Sequence, residues 1–530
     1  MYDCDVLVVG YGPVGQLLSL LLARRGRRVV AAERRPHPYP LPRAVAFDAQ
    51  AARVLAAAGL HTELDAIGEP SPDYVVVDGS GRTLLRVPLD PGDAFRWPDS
   101  TSMYQPRLEA ALAGHGARCA TLRVLRGQEA FRLTAYDSHV EVGLREAASG
   151  AHRTVRARWV VGCDGAGSFV RTAMGTSLTD HGFSHDWMAC DVLPHRPEDF
   201  PACNVQYADP LRPRVAVSAG PGRRRWEFMR LAGESAEEFA GADKAWELLA
   251  LFGVTRADAT LVRHAVYTFG ARVADSWRAG RVLLAGDAAH QMPPFAGQGM
   301  CTGIGDAATL AWMLDLVLAG RAGEALLDGY EAERAPEVRR TVGMSTQLGR
   351  IICVTDPEAA AERDRALLGS GARRTPDDRA ASPRASGHPA AFVYRSPGGA
   401  PGRGAGVRVP QLRLRGAGVR EARGEVVGDG LVLLSLDDPL ALLEPGQAEE
   451  LTRLGARLVE VLPAGAAPAG APDRAVDTDG ELAAWLGGFG ARAVLIRPDF
   501  RVYGAGRDGA EISAVVHDLL ERLGAVRAAR

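Results

Sequence analysis

The chain opens on an unbroken apolar run, Val6-Leu7-Val8-Val9, behind the acid-containing start Tyr2-Asp3-Cys4-Asp5. Residues 14–25 (VGQLLSLLLARR) then space their apolar side chains as one face of a helix does, and Gly26 stops them. Residues 28–33 (RVVAAE) turn apolar again and end on Glu33. Strand, helix and strand within about 30 residues predict a βαβ unit and therefore a parallel sheet.

Further along, the pattern changes character. Residues 74–161 mix short strand runs with a helix near 107–115, and 157–163 (ARWVVGC) form another buried strand. Between 176 and 275 several runs alternate as strands do, among them 213–218 and 225–231, with an amphipathic stretch at 236–252. A strand at 281–285 and a long apolar helix at 303–319 follow, and helical spacing continues to about residue 369. Residues 369–408 are rich in Gly, Pro, Arg, Ala and Ser, the composition of a linker. Beyond it, strands at 431–435, 457–462 and 493–496 alternate with helices at 446–454, 480–486 and 510–523, a separate small α/β domain. The expected division is 1–175 and 276–368 as two parts of one nucleotide-binding domain, 176–275 as a β-rich domain, 369–407 as linker, and 408–530 as the last domain.

Composition narrows the function. Of 530 residues, 47% are hydrophobic and 24% charged, which excludes a disordered or fibrous chain. Lys plus Arg (62) nearly balances Asp plus Glu (64), against a nucleic-acid or anionic-membrane surface. Lys244 is the single lysine, which leaves little room for lysine chemistry. The seven cysteines are widely spaced with no CxxC, so neither a disulfide framework nor a zinc site is expected, and no metal. A reduced, cytoplasmic compartment fits that usage. The start lacks the basic region of a signal peptide, and the apolar run Leu17–Ala23 is far too short to span a bilayer.

Three segments carry candidate chemistry. Gly10-Tyr11-Gly12-Pro13-Val14-Gly15 is a GxGxxG that follows a strand and opens a helix, with Glu33 ending the next strand 18 residues on. That context is the dinucleotide fingerprint: Gly10 for the tight turn, Gly12 for approach of the pyrophosphate, Gly15 for helix–strand packing, and Glu33 for ribose hydroxyls. A second GxGxxG, Gly504 to Gly509, has no βαβ unit after it and reads as a surface turn. The other two segments are Cys163-Asp164-Gly165-Ala166-Gly167-Ser168-Phe169-Val170-Arg171 and Ala285-Gly286-Asp287-Ala288-Ala289-His290-Gln291-Met292-Pro293-Pro294-Phe295-Ala296-Gly297-Gln298-Gly299-Met300. Each is an apolar strand running into an aspartate and then a glycine-bearing turn, a place to bind a polyol and phosphates.

Together, in this order, the three segments resemble the class A FAD-dependent aromatic monooxygenases of the para-hydroxybenzoate hydroxylase type. They match the ADP-binding, DG and GD motifs of that family over residues 1–345. The GD segment, Arg224-Arg225-Trp226-Glu227-Phe228-Met229 and Tyr104-Gln105-Pro106-Arg107-Leu108-Glu109 are similar to the branch that holds 3-(3-hydroxyphenyl)propionate hydroxylases and aromatic polyketide hydroxylases. The implied fold is α/β: a Rossmann-like FAD-binding domain, a β-rich substrate domain and a C-terminal thioredoxin-like domain. No cysteine lies beyond Cys353, so that last domain cannot exchange thiols and is expected to be structural or oligomeric, with a homodimer as one option. Two positions depart from the branch: Cys301 stands where many members have Asn, and Gly305 where Arg often precedes the pair Asp306-Ala307.

The resemblance implies that NADH or NADPH reduces FAD, that O2 adds to give a flavin C4a-hydroperoxide, and that a small phenolic substrate takes one oxygen from it. The cofactor supplies the hard chemistry and the protein supplies orientation and water exclusion. Implied FAD contacts are Gly10, Gly12, Gly15, Glu33, Arg34, Arg43, Gln105, Asp164, Asp287, Pro294, Gly297, Gly299 and Met300. Arg43 lies in the loop Leu41-Pro42-Arg43-Ala44 that the family places against the flavin. Tyr207 is the candidate phenol-activating tyrosine, or a packed sheet residue. Trp226 and Phe228 share one strand face by period two and, with Pro293, are expected to wall the substrate pocket, unless the two aromatics are plain core. His290 is read as a proton relay or as the residue that fixes its turn. The same machinery could perform Baeyer–Villiger oxidation or epoxidation of a polycyclic aromatic. A halogenase is disfavoured, since Trp226 lies in no WxWxIP motif; a plain NAD-dependent dehydrogenase and a silent flavin-binding scaffold are the readings from other classes.

Overall fold

The computed structural model describes residues 2–93, 96–369, 392–416, 428, 430–466 and 473–528. Its first sheet grows from the opening apolar run. Cys4–Val9 pairs in parallel with Val29–Glu33 on one side and with His152–Gly162 on the other, Val6 standing opposite both Val29 and Trp159. Leu122–Arg126 and Val282–Leu284 extend the parallel sheet at its two flanks. Val6 to Val9 and Val29 to Ala32 are all buried, as uninterrupted apolar runs require of strands covered on both faces. The helix Pro13–Arg24 covers one face and packs against Gly299–Leu318. Among the described residues this second helix is the one long and apolar enough to cross a membrane, and it is buried in the core.

The second sheet has eight strands, in the order His290–Gln291, Ala259–Ala274, Leu178–Pro194, Arg224–Met229, Arg214–Ser218, Asn204–Tyr207, Tyr74–Val77 and Thr83–Val87. The last two correct the expected boundaries. Residues 74–87 come from the segment assigned to the nucleotide domain, yet Tyr74–Val77 pairs in parallel with Asn204–Tyr207. The chain therefore visits this sheet twice, through a pairing too distant in sequence for local pattern to reveal. One face of the sheet carries Met188, Cys190, Ala216, Trp226 and Phe228 and packs on Phe239, Ala245, Leu248 and Leu249 of the helices Ala236–Phe239 and Ala242–Leu249. The opposite face carries Trp187, Val215 and Met229 and joins the core of the nucleotide domain.

The C-terminal sheet runs Leu414–Arg415, Arg474–Asp477, Arg457–Leu462, Val432–Ser435, Ala493–Ile496, Val502–Gly506. Its βαβ half is parallel, its last two strands are antiparallel, and Gly509–Ala528 closes it, which is a thioredoxin-like order. Two expectations are corrected here. Gly504 and Gly506 lie in a buried strand, not a surface turn. A Cβ on Gly504 would come within 2.9 Å of Val515, and one on Gly506 within 2.6 Å of the Ile512 nitrogen, so these glycines let the last helix settle on the strand. Residues 370–391 of the expected linker lie outside the described residues, but 392–407 are not free linker. Phe392 and Val393 are buried, and the N–H groups of Phe392 and Gly406 donate to Glu333 and to the Val502 carbonyl. The glycines there serve tight turns, Gly399 and Gly404 having φ of +80° and +60°.

Candidate functional site

The glycine turn is shaped by two contacts and one gap. Gly10 has φ +96°, and a Cβ on it would stand 2.4 Å from the Cys163 carbonyl oxygen. A Cβ on Gly15 would stand 2.1 Å from the Gly10 oxygen. Gly12 differs: nothing lies within 4 Å of its would-be Cβ, so the space above the turn is open. The helix Pro13–Arg24 begins there with no side-chain cap, which leaves its first N–H groups and positive dipole end for an anion. Glu33 is aimed by two N–H donors, Tyr11 to Oε2 and Arg35 to Oε1, both at 2.9 Å. Each oxygen keeps a lone pair for a ribose hydroxyl. Arg34 is exposed beside it. An open cradle at a helix start with an oriented carboxylate at the next strand end fits the adenosine diphosphate half of a dinucleotide.

The second and third segments meet this crevice. Gly286 (φ +63°) and Gly303 would each put a Cβ against Val14, at 3.1 and 2.6 Å, so two glycines let the Asp287 turn and both helices close together. The Asp287 side chain faces the open crevice; the surrounding walls push its carboxyl up from the usual range, while His290 and Arg43 pull the other way. Pro293 and Pro294 lead through Gly297 (φ +62°) to the uncapped start of Gly299–Leu318, where Gly299 and Met300 present their N–H groups, and the Ser345 hydroxyl donates to the Pro293 carbonyl at 2.5 Å. Asp164 accepts from the Ser168 hydroxyl (2.5 Å) and from the Val170 N–H (3.0 Å), and burial raises its pKa. Arg171 donates to the carbonyls of Ala166 and Ala288, tying this turn to the Asp287 turn. Gln105 accepts from the N–H groups of Arg43 (3.0 Å) and Ala44 (2.6 Å) and donates to Glu109 at 2.7 Å, so it fixes the Leu41–Ala44 loop at the crevice edge.

Facing this crevice is the inner face of the eight-stranded sheet, and that face is polar at its centre. Arg225 Nε donates to Asp191 Oδ1 at 2.7 Å, and its two terminal nitrogens donate to the carbonyls of Arg43 (2.6 Å) and Pro42 (3.1 Å). Arg263 also donates to the Pro42 carbonyl, and it lies 3.5 Å from Asp191 Oδ2. Glu227 is 8% exposed, and among the described residues its carboxylate makes one ion pair, with Arg225 at 3.6 Å, while the Asp191 carboxylate also acts on it. Burial pushes the Glu227 carboxyl up, with Arg225 opposing. The Tyr267 hydroxyl, on the same face, is buried without a partner.

Comparison with known proteins shows the family and its cofactor. Residues 3–345 match the FAD binding domain family, and residues 406–522 match the HcaD C-terminal domain. The chain belongs to the FAD binding domain family. It is 35% identical over 519 residues to a probable NADH-specific resorcinol 4-hydroxylase of Rhodococcus jostii (strain RHA1), covering 97% of this chain and 94% of that one. It is 34% identical over 517 residues to a 3-(3-hydroxy-phenyl)propionate/3-hydroxycinnamic acid hydroxylase of Mycobacterium sp. (strain JLS), covering 95% and 89%. The flavin-dependent monooxygenase PieE shares the fold across 100% of both chains, with a TM-score of 0.79 at 22% identity. This chain is therefore an FAD-dependent, NAD(P)H-using aromatic hydroxylase.

Within this FAD-dependent hydroxylase the structure brings together Gly10, Gly12, Gly15, Glu33, Arg43, Asp287, Pro293, Pro294, Gly297, Gly299 and Met300 around one crevice, with Gln105 and Asp164 fixing the loops beside it. It does not bring Tyr207, Trp226 or Phe228 there. All three sit on the opposite sheet face, where Tyr207 packs edge-on against Phe252 at 5.2 Å and Phe252 in turn meets Trp226 and Phe228. The strand alternation was legible, but the aromatic side is the one that needs burial against the helices, and the charged side faces the crevice. Of its two readings, His290 sits as the residue that fixes its turn. It is 1% exposed, its Nε2 lies 2.7 Å from Asp306 Oδ2, and Asp306 also accepts from Gly286 N–H and Arg334, so the ring is walled into the support of the Asp287 turn. Cys301 turns its sulfur to the Asp48 N–H at 3.4 Å, and Gly305 leaves room for Arg334. Asp191, Arg225, Glu227, Arg263 and Tyr267 are the residues that sequence reasoning missed. For Arg225 and Glu227 a signal was available, since in RRWEFM they alternate with Trp226 and Phe228 and so share the other face of the strand. Among the described residues no group of three or more His, Cys, Asp and Glu side chains could hold a metal.

Proposed function

We propose that this enzyme hydroxylates a small meta-substituted phenol of the resorcinol or 3-hydroxyphenyl class, using NADH and O2. One oxygen atom enters the ring, the other leaves as water, and NADH supplies the two electrons. The observation that carries this reading is the polar centre of the inner sheet face, Asp191, Arg225, Glu227, Arg263 and Tyr267, set opposite the nucleotide crevice. Full-length similarity to hydroxylases named for resorcinol and for hydroxyphenylpropionate supports the substrate class, and the first of them supports NADH.

FAD, when bound, supplies the electron relay and the activation of O2. Gly10, Gly12, Gly15 and the helix start at Pro13 would hold its pyrophosphate, with Glu33 and Arg34 at the adenosine ribose. Asp287 would bind the ribityl chain, and the turn Pro294–Gly299 with Met300 would face the ring, while Arg43 would touch it from the opposite loop. The sheet above excludes water, and its polar centre orients the phenol. The seven free cysteines support a reduced, cytoplasmic setting.

The test is NADH oxidation in air by the FAD-loaded protein, with resorcinol, 3-(3-hydroxyphenyl)propionate and a polycyclic phenol compared and each product identified by mass and structure. Faster oxidation with a meta-substituted phenol and a product richer by one oxygen on the ring supports the reading. Stimulation by the polycyclic phenol alone, or an ester product, overturns it.

A further inference from the structure

Three neighbouring rows of side chains cross the inner face of the sheet. Register places Arg225, Asp191 and Arg263 in the first row, Glu227, Ala189 and Ala265 in the second, and Met229, Trp187 and Tyr267 in the third. Successive rows lie about 7 Å apart, two residues along each strand. The first row is roofed by one loop, because Arg225 and Arg263 both donate to the Pro42 carbonyl. The third row is roofed by the other, because Phe295 packs edge-on against Trp187 at 5.4 Å. The second row spans the gap between the two loops that face the flavin.

That gap has a particular shape. Glu227 has Ala189 beside it with Ala265 on the strand beyond, and Val215 on its other side, so the long acid stands at the edge of a hollow over the two alanines. Both arginines of the first row are committed to Asp191 and to loop carbonyls, which leaves them poorly placed to take a substrate anion. Glu227 is the one acid among these three rows with no hydrogen bond from another described residue. A buried carboxylate whose cation stands 3.6 Å away and which receives no hydrogen bond has room for a ligand that donates.

We propose that the Glu227 carboxylate binds the phenolic hydroxyl of the substrate in this gap and takes its proton as the ring is oxygenated. The assignment rests on the phenol-hydroxylase reading above. In the step, the phenol O–H bond breaks and its proton passes to Glu227. The electron pair left on oxygen is donated into the ring, and the ring carbon so enriched bonds to one oxygen atom derived from O2 as the O–O bond breaks, the other oxygen leaving as water with the two electrons that NADH supplies. That carbon then loses its own proton and the ring regains aromaticity. Burial moves the carboxyl toward the phenol in proton affinity, the direction a general base requires.

The test uses FAD-loaded Glu227→Gln, which keeps the shape and loses the base. Resorcinol and a series of fluorinated resorcinols of rising acidity serve as substrates. The variant is expected to hold FAD as the native enzyme does and to lose about 10²–10⁴-fold in turnover of resorcinol, the loss shrinking along the acidic series. A readout without turnover accompanies it. 4-Nitrophenol bound to the oxidised holoenzyme is expected to show its phenolate band more strongly in the native protein than in Glu227→Gln. A loss of the same size for every phenol, an unchanged 4-nitrophenol spectrum, or turnover within about twofold of native overturns the assignment. Should Glu227→Gln release FAD, Glu227→Asp, which keeps a carboxylate, is read on the same series, and a uniform loss there overturns it too. Native protein that hydroxylates none of these phenols overturns the function reading together with this one, whereas native activity with a uniform loss overturns this one alone.

Discussion

Arg497, the residue after the strand Ala493–Ile496, meets Glu333 of the helix Asp328–Ile352 through two hydrogen bonds, at 2.8 and 2.6 Å, with both side chains almost fully buried. Asp499 accepts from the same guanidinium, and the backbone of Phe392 bonds to both partners. The thioredoxin-like domain is thus seated on the helix that also supplies Arg334 to the support of the Asp287 turn. Arg497→Met should leave two buried carboxylates without their cation and cost roughly 3–5 kcal/mol. A urea midpoint reads this, and adding Glu333→Gln should cost less than the sum of the two single changes.

One turn along the same helix, Glu337 accepts from Arg334, Arg501 and Arg408. Burial raises its pKa, but these guanidiniums and Arg340 outweigh burial and hold the carboxyl well below the usual 4.5. A depressed folded pKa stabilises the protein fully above the unfolded value and loses that contribution as pH falls through it toward the folded one. Native protein should therefore weaken between about pH 5 and about pH 2 more steeply than Glu337→Gln, which starts weaker and titrates nothing there. Unfolding midpoints against pH for the two proteins check this; parallel curves would refute it.

The two glycines at the start of the first helix should fail in different ways. Gly15→Ala puts a methyl 2.1 Å from the Gly10 oxygen, so the protein itself must shift, and its unfolding midpoint should drop with or without FAD. Gly12→Ala meets nothing within 4 Å, so the FAD-free protein should unfold like the native one. The methyl would fill the space in which the proposed site holds phosphate, and FAD affinity should fall on the order of tenfold or more. Calorimetric titration of FAD alongside thermal melts separates the two cases.

What the sequence made legible follows the reach of each signal. The βαβ unit, the glycine turn and the aspartate turns are local, fixed by backbone geometry within a few residues, and could be read from GYGPVG and from Glu33. The register of Tyr74–Val77 against Asn204–Tyr207 is a contact across more than a hundred residues with no local mark. The sheet face stayed open in the sequence for a different reason. Period two shows that Arg225 and Glu227 oppose Trp226 and Phe228, but which side meets the crevice depends on where the helices 236–249 pack. An aromatic pair beside a flavin site suggests a pocket; here it is the hydrophobic seam of another layer, and the charges facing the crevice are the informative feature.

That assignment of faces makes its own prediction. Tyr207 lies against Phe252 with Arg214 over its ring at 4.8 Å, in the layer beneath the sheet. If the substrate occupies the other face, Tyr207→Phe removes only a hydroxyl remote from the chemistry, and kcat/KM for a phenol should stay within about twofold of native. Phe228→Ala should destabilise by roughly 3–5 kcal/mol, since it empties a fully buried aromatic position, yet the folded fraction should keep its kcat at low temperature. A tyrosine that activated the phenol would instead cost about 10²-fold or more on loss of its hydroxyl. Steady-state rates on Tyr207→Phe, set beside melting curves for Phe228→Ala, therefore decide which face of the sheet the substrate sees.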